Sequence, residues 1–187
     1  MPAEPYRVMA YNNAWANHRL LAACAGLTQA EFEATRTSFF PSLKATLNHI
    51  LVIDWFYVDA LEGGMLGPKA WADPEPCATV AALAREQAAI DRRLIAHCET
   101  LTETALAEPV RVNRDTRVQV ERRDRLLLHL FQHDVHHRGQ AHAMLAGTRV
   151  APPQLDEFFP ADDAALRGED LAALGWSEEE IWRTWVL

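Results

Sequence analysis

The histidines between positions 129 and 142 are the residues of this chain with the clearest capacity for chemistry. His133 and His137 lie four residues apart, so on a helix both side chains project from one face and can reach one ion. At 100° per residue they share a narrow stripe, which also contains Leu126, Gln140 and Met144. The run therefore predicts two ligands of a metal site and requires a third from elsewhere.

The other histidines have weaker claims to be ligands. His136 is the rival, because it lies three residues after His133, but it is farther from the centre of the stripe than His137. His129, at the edge of the stripe, is expected to neighbour His133. His18, His97 and His142 are expected at the surface or between helices. Buried histidines that only satisfy hydrogen bonds are the simpler alternative, but two on one apolar stripe would both need polar partners.

His49 supplies the missing ligand. It lies at the middle of a helical face that is otherwise made of Ala45, Thr46, Val52, Ile53, Phe56 and Ala60. His49, His133 and His137 would then converge between two helices. Three protein ligands leave a coordination position for water or substrate, which is typical of catalytic rather than structural sites.

Three further polar residues are candidates for catalytic or binding roles. Gln140 shares the histidine stripe and is expected to contact water or substrate near the metal. Arg138 would either orient an anionic substrate or form a salt bridge in solvent. Asp54 would either support a ligand histidine or make an ordinary polar contact with the first helix.

The elements that must position these residues are predicted from hydrophobic period and capping residues. Long helices are expected over about 6–27, 38–61, 79–98 and 122–146, with a capping box at Thr28 and Glu31 and a helix N-cap at Thr79. Glycine and proline between 63 and 77 indicate a long crossover, and alternating valines over 110–120 indicate a β-hairpin. Ser177 opens a C-terminal helix whose apolar face is Ile181, Trp182, Trp185 and Val186. This pattern predicts an all-α four-helix bundle.

Length and composition favour a single soluble domain over 1–187, with a C-terminal extension over about 160–187. At 187 residues and 49% hydrophobic content, the chain can bury one sizeable core. Its net charge of -8 argues against a nucleic-acid partner. Three cysteines without paired spacing, and the lack of a signal peptide or a long apolar run, predict a cytoplasmic protein without a membrane segment.

The motifs resemble those of the DinB-like family over most of residues 6–159. The matching segments are Tyr11–Asn17, Leu47–Ile50 with Asp54–Trp55, His133–Gln140 and Pro152–Asp156. The resemblance implies a bundle of up-down-down-up topology, often a homodimer, whose metal is held by His49, His133 and His137. It implies no DNA chemistry. The second long helix also has a surplus of apolar residues: Leu43, Leu47, Leu51, Trp55 and Val58. Either a symmetric dimer contact or the N-terminal or C-terminal helix of the same chain is expected to cover them.

Three functions are compatible with this site. Relatives in the wider family include transferases and isomerases that use low-molecular-weight thiols, so the resemblance favours a metal that activates a thiol. A metal-dependent hydrolase that activates water is the second possibility. The third is a metal-binding stress-response protein without turnover. Imidazole ligands favour zinc or nickel, with iron or manganese as alternatives.

Overall fold

The computed structural model describes residues 2–183, which form seven α-helices and one β-hairpin. The helices are α1 Glu4–Cys24, α2 Gln29–Glu33, α3 Leu43–Leu61, α4 Val80–Glu99, α5 Arg123–Ala146, α6 Ala164–Leu174 and α7 Glu178–Trp182. The strands are β1 Pro109–Asn113 and β2 Val118–Arg122, and short 3-10 helices lie at Gly67–Trp71, Ala105–Ala107 and Ala161–Asp163. The predicted all-α class with a small hairpin is confirmed.

Four long helices, α1, α3, α4 and α5, form the bundle, in which each helix packs on two others in the order α1, α4, α3, α5. The contacts Tyr11–Glu99 and Asn17–Asp91 show that α1 and α4 are antiparallel. The contacts Asp54–Gln87 and Glu62–Arg93 show that α3 and α4 are parallel. The contacts Tyr57–His129 and Leu61–Arg123 show that α3 and α5 are antiparallel. The topology is therefore up-down-down-up, as the resemblance implied.

Side-chain caps set where the helices begin. The predicted capping box of Thr28 and Glu31 starts α2, and Thr79 accepts a hydrogen bond from the backbone of Ala82 at the start of α4. The second long helix was predicted to begin near residue 38, but it begins at Leu43, because Ser42 caps the backbone N–H of Ala45. The residues just before Ser42 are consequently free to form a loop beside the histidines.

The long crossover between α3 and α4 follows from their parallel orientation, because the chain must return along the bundle before α4 can start. The crossover contains the 3-10 helix Gly67–Trp71, which packs on α3. Its last residues are fixed to α3 by Asn48, whose side chain accepts from the backbone of Cys77 and donates to the Cys77 carbonyl. This double hydrogen bond fixes the backbone of α3 next to His49.

The hairpin pairs its two strands in antiparallel register, with Val110 opposite Glu121 and Val112 opposite Gln119. Val110 and Val112 are buried, whereas the valines of β2 are exposed, so one strand supplies the apolar contact with the bundle. The turn contains Asp115 in a left-handed conformation, with φ of 64°. The hairpin therefore holds its turn residues in defined positions beside α3.

The C-terminal segment forms two helices instead of the one that was predicted. Gly175 ends α6 in the left-handed conformation, with φ of 77°, and Ser177 then caps α7. Ile181 is fully buried, and Arg7 of α1 donates to the Glu180 carbonyl at 3.2 Å, so α7 packs on the bundle as expected. Trp185 and Val186 of the predicted apolar face lie outside the described residues.

The expected surplus of apolar surface on α3 is not present. Leu43, Leu47, Leu51 and Val58 are all buried within the single chain, and Trp55 is half-buried against the core. The pattern on α3 therefore does not require a partner, because neighbouring elements of the same chain cover this helix, which was the alternative to a dimer contact. Within residues 2–183, no helix has the length and apolar character needed to cross a membrane.

Candidate metal centre

Three imidazoles converge between α3 and α5. His49 comes from the middle of α3, and His133 and His137 come from successive turns of α5. One nitrogen of each ring lies within 4.8 Å of the others, and Nε2 of His49 is 3.0 Å from Nε2 of His133. The ring centroids are 4.5–5.0 Å apart. The predicted triad is thus assembled by the fold, and it can hold a metal ion.

The triad lies at the inner wall of an open pocket of about 400 Å³. The pocket is lined by Phe39, His49, Ile53, Tyr57, His129, His133, His136 and His137. Three members of the predicted inward stripe, Leu126, His137 and Met144, are buried. The side of α5 at the centre of the core carries Leu127, Asp134 and Ala141. The His133 side chain is rotated by about 100° around the helix axis from this side, and 13% of it is exposed. The ligands therefore lie at the border of the core, where solutes can reach them.

Two neighbouring side chains orient the ligand rings. Nδ1 of His133 lies 3.2 Å from a carboxylate oxygen of Asp134, and Nδ1 of His137 lies 2.9 Å from Oε1 of Gln140. Both oxygens are acceptors, so each Nδ1 is the protonated nitrogen and each Nε2 keeps its lone pair. Such partners fix the tautomer and orientation of metal-ligating histidines. Gln140, predicted to contact water or substrate, is hydrogen-bonded to the ring of His137.

The pKa values of two ligands favour metal binding over protonation. Burial, followed by the nearby charges of His133 and His137, lowers the pKa of His49 to about 4. Burial also lowers the pKa of His137. Both rings are consequently neutral at pH 7 and present unprotonated nitrogens.

Aromatic side chains from the loop before α3 form one wall of the pocket. The Phe40 ring lies 4.3 Å from that of His49 and 5.6 Å from that of His137. Phe39 packs edge-on against Phe40 and is 76% exposed at the mouth of the pocket. The sequence analysis missed both residues because it placed them inside the second long helix. Two adjacent phenylalanines before a Pro-Ser helix start are the signal that could have revealed them.

The remaining histidines lie around the triad or away from it. His136 is exposed, and its Nε2 lies 3.0 Å from the side-chain nitrogen of Gln140, so it does not join the triad. His129 lines the pocket one turn from His133, and burial, followed by the charges of His133 and Arg114, lowers its pKa. His142 contacts the Pro153 carbonyl at 2.9 Å, and His97 lies 3.2 Å from Arg123. His18 is half-buried on α1.

Arg138 occupies neither of the environments predicted for it. Its guanidinium is buried and donates to the side-chain oxygens of Asn13 and Asn17 on α1, the latter at 3.0 Å. A salt bridge in solvent is therefore excluded, and Arg138 is not among the residues that line the histidine pocket. Burial lowers its pKa, but the surrounding charges of Asp134, Asp91 and Asp54 favour the protonated form.

Asp54 belongs to the same buried environment. One of its oxygens accepts from the side chain of Gln87 on α4 at 2.6 Å, rather than from α1 as one alternative proposed. Burial, followed by the charges of Asp134 and Asp91, raises its pKa well above the ordinary value. Burial in an apolar interior near like charges thus favours the neutral form of this carboxyl group.

A polar network therefore crosses the centre of the bundle behind the triad. Its hydrogen bonds join Asn13, Asn17, Asp54, Gln87, Asp91 and Arg138 and connect all four long helices. Asp134 interacts with this network through its charge. Asp91 accepts from Asn17 and Gln87, and burial raises its pKa to about 7. The sequence analysis missed Asp91 and Asp134. An acid four residues after Gln87 on an apolar face, and an acid directly after a ligand histidine, were the available signals.

The comparisons with known proteins agree with this architecture. A search among curated proteins finds no match to the chain. A family model described as the DinB family matches residues 1–170, which include all four long helices and the three histidines. The match also extends into α6, beyond the segments whose motifs carry the resemblance. Because it covers most of the sequence, the chain belongs to the DinB family.

Proposed function

We propose that this protein is a metal-dependent enzyme that activates a low-molecular-weight thiol, of the S-transferase or isomerase type. The observation that carries the proposal is the set of three imidazoles at the inner wall of an open pocket. Three protein ligands leave a coordination position for a further group. Imidazole ligands also neutralise none of the charge of the ion.

The residues present fit a divalent ion. Two nitrogens bound to a tetrahedral zinc ion lie about 3.3 Å apart, which is close to the 3.0 Å between Nε2 of His49 and Nε2 of His133. Such a pair of unprotonated nitrogens repels unless a cation or a proton lies between them. Zinc or nickel suits this donor set. When bound, the ion would act as a Lewis acid and lower the pKa of a coordinated thiol.

The pocket favours a thiol over hydrolysis of an ester or amide. The described residues that line it include no Asp or Glu, so a general base for water would have to come from His129 or His136. Phe39, Phe40 and Ile53 provide an apolar wall next to the ligands, and sulfur packs favourably against aromatic rings. In the transfer, the sulfur would form a bond to an electrophilic carbon, the leaving group would take its bonding electrons, and the thiol proton would pass to solvent.

The cellular setting and assembly follow from the same proposal. A thiol substrate requires a reducing compartment, and Cys24, Cys77 and Cys98 are unpaired, which supports a cytoplasmic location. A homodimer remains a prediction that rests on the family resemblance alone.

The test compares two substrate panels with zinc-loaded and nickel-loaded protein. One panel combines low-molecular-weight thiols with an electrophilic acceptor, and the other contains esters and amides. We expect metal-dependent turnover in the thiol panel, its loss in His49→Ala, and its retention in His136→Ala, since His136 lies outside the triad. Turnover confined to esters and amides would indicate a hydrolase. Tight metal binding without turnover in either panel would indicate a metal-binding protein.

A further inference from the structure

A positive charge lies next to one end of the pocket, behind the residues that line it. Tyr57 and His129 line this end, and their rings contact each other at 5.3 Å. Arg114, from the hairpin turn, donates from Nη2 to the hydroxyl of Tyr57 at 3.0 Å. The guanidinium of Arg114 thus lies beside the pocket wall opposite the metal ligands.

The structure fixes the Arg114 side chain in position. Its Nε donates to Oε1 of Gln119 on β2 at 3.0 Å, and the guanidinium lies 4.9 Å from the ring centre of Phe56 and 5.6 Å from that of Tyr57. Contact with aromatic faces and two hydrogen bonds restrict its rotamers. A guanidinium held in this way loses little entropy when it binds an anion.

Arg114 nevertheless has no carboxylate partner within the described part of the chain, residues 2–183. Arg117 in the same turn also has no carboxylate partner among the described residues, but it is exposed, whereas Arg114 is half-buried. Arg122, Arg123 and Arg125, farther along the chain, pair with Asp124, Glu108 and Glu121. A half-buried guanidinium normally binds an anion through a forked pair of hydrogen bonds. Nη1 of Arg114 forms no hydrogen bond with any residue from 2 to 183, and this leaves it available for a ligand.

The spacing of the two ends defines what could bridge them. Tyr57 follows His49 by eight residues on α3, a rise of about 12 Å, and His129 precedes His133 by about 6 Å on α5. The Arg114 guanidinium is therefore on the order of 10 Å from the triad nitrogens. The carboxylate of free cysteine lies only about 4 Å from its sulfur, whereas a peptide thiol can extend about 10 Å.

We propose that Arg114 binds a carboxylate of the thiol substrate and so selects small peptide thiols over free cysteine and over thiols without a carboxylate. This inference rests on the proposed function, because it assigns the sulfur to the triad end of the pocket and the carboxylate to the hairpin end. Arg114 is a binding residue for the substrate in this account.

The test measures thiol binding to cobalt-loaded protein through the sulfur-to-metal absorption band, which reports binding without turnover. Glutathione carries carboxylates at the required distance, and cysteamine carries none. We expect Arg114→Gln to raise the Kd of glutathione roughly tenfold and to leave the Kd of cysteamine unchanged, since a charge-assisted hydrogen bond contributes about 1.5–3 kcal/mol. Arg117→Gln is the matched control, because Arg117 is an exposed arginine of the same turn. We expect it to change neither Kd by more than about twofold.

Two outcomes would overturn the inference: an unchanged Kd for glutathione in Arg114→Gln, or an equal rise for glutathione and cysteamine. S-methylglutathione, which lacks a free thiol, separates this inference from the proposed function. If it binds the wild type and loses affinity in Arg114→Gln, while no thiol produces the absorption band, the carboxylate site stands and thiol activation fails. If the band forms but no peptide ligand depends on Arg114, thiol activation stands and the carboxylate site fails.

Discussion

Two sides of α5 carry polar residues, and the residues on one side line a pocket whereas those on the other are buried in the bundle. On the flank, His133 and His137 border an open pocket, and burial keeps His137 neutral. On the inner side, Asp134 and Arg138 are buried inside the bundle, where Arg138 donates to Asn13 and Asn17 of α1. The two sets alternate within six consecutive residues. The difference shows that access from the pocket, rather than polarity, distinguishes the candidate metal ligands from the structural polar residues of this helix.

The buried polar residues of α5 help to position the histidines that line the pocket. The polar network fixes the four long helices in register directly behind the ligands, and Asp134 belongs to both sets because it contacts His133. Burial raises the pKa of Asp54 and Asp91, which reduces the negative charge around the single guanidinium of Arg138. The network should therefore control stability, and the flank should control metal affinity.

The largest effect is expected from Arg138→Met, which removes the only guanidinium found in the network. Loss of one partner of a buried ionic cluster leaves uncompensated charge, so the free energy of unfolding should fall by about 3–5 kcal/mol. Urea denaturation of the metal-free protein measures this change.

The matched control is Arg125→Met, at an exposed arginine of the same helix that pairs with Glu121. This change should lower the free energy of unfolding by less than about 1 kcal/mol. Equal losses in the two variants would contradict the role assigned to the network.

An intermediate effect is expected from Asp134→Asn, which tests the residue shared by both sides. The amide keeps the size of the carboxylate but removes the charge that orients the Nδ1–H of His133. Metal affinity should fall about 10–100-fold, as is typical for residues that orient a ligand histidine. A competitive titration with a chelating dye measures the Kd. Asp124→Asn makes the same change at the start of α5 and should leave the Kd unaltered; a comparable loss there would refute the assignment.

The smallest effect concerns pH, where the two sides should act in opposite directions in the metal-free protein. The pKa of His49 is about 4 when folded and 6.5 ordinarily, so the unfolded chain binds more protons between these values and stability falls as pH drops through them. The pKa of Asp91 is about 7 when folded and 3.8 ordinarily, so its contribution to stability is lost as pH rises from about 4 to 7.

Urea denaturation at several pH values between 4.5 and 7.5 should separate these contributions. His49→Ala should reduce the loss of stability toward acid without abolishing it, because burial also lowers the pKa of His137 and His129. Asp91→Asn should gain stability relative to the wild type as pH rises. Parallel curves for Asp91→Asn and the wild type would show that Asp91 keeps an ordinary pKa in the folded protein.

Local signals in the sequence predicted most of the fold. Thr28 and Thr79 cap helices where their types and positions predicted, and the valine alternation marked the hairpin. The same reasoning failed near residue 38, because helical period cannot reveal that Ser42, rather than an earlier residue, caps α3. The same reasoning also did not predict α6, because a short helix contains few positions from which a helical period can be recognised.

The site was predicted in part, for a physical reason. The triad was predicted because its ligands must lie on the facing sides of two helices, and helical period places His133 and His137 on one side of α5 and His49 on one side of α3. The role of Arg138 was not found, because its partners, Asn13 and Asn17, come from a distant segment of the chain. Helical period gives the direction of a side chain but does not identify the residues of other segments that contact it.

The most direct test of the central claim is calorimetric titration of metal-free protein with zinc and with nickel. The wild type and His136→Ala should each bind one ion per chain, and the bound ion should raise the Tm. His49→Ala should lose both the binding and the rise in Tm while remaining folded. Equal stoichiometry and affinity in His49→Ala and the wild type would contradict the assignment of the triad as the metal site.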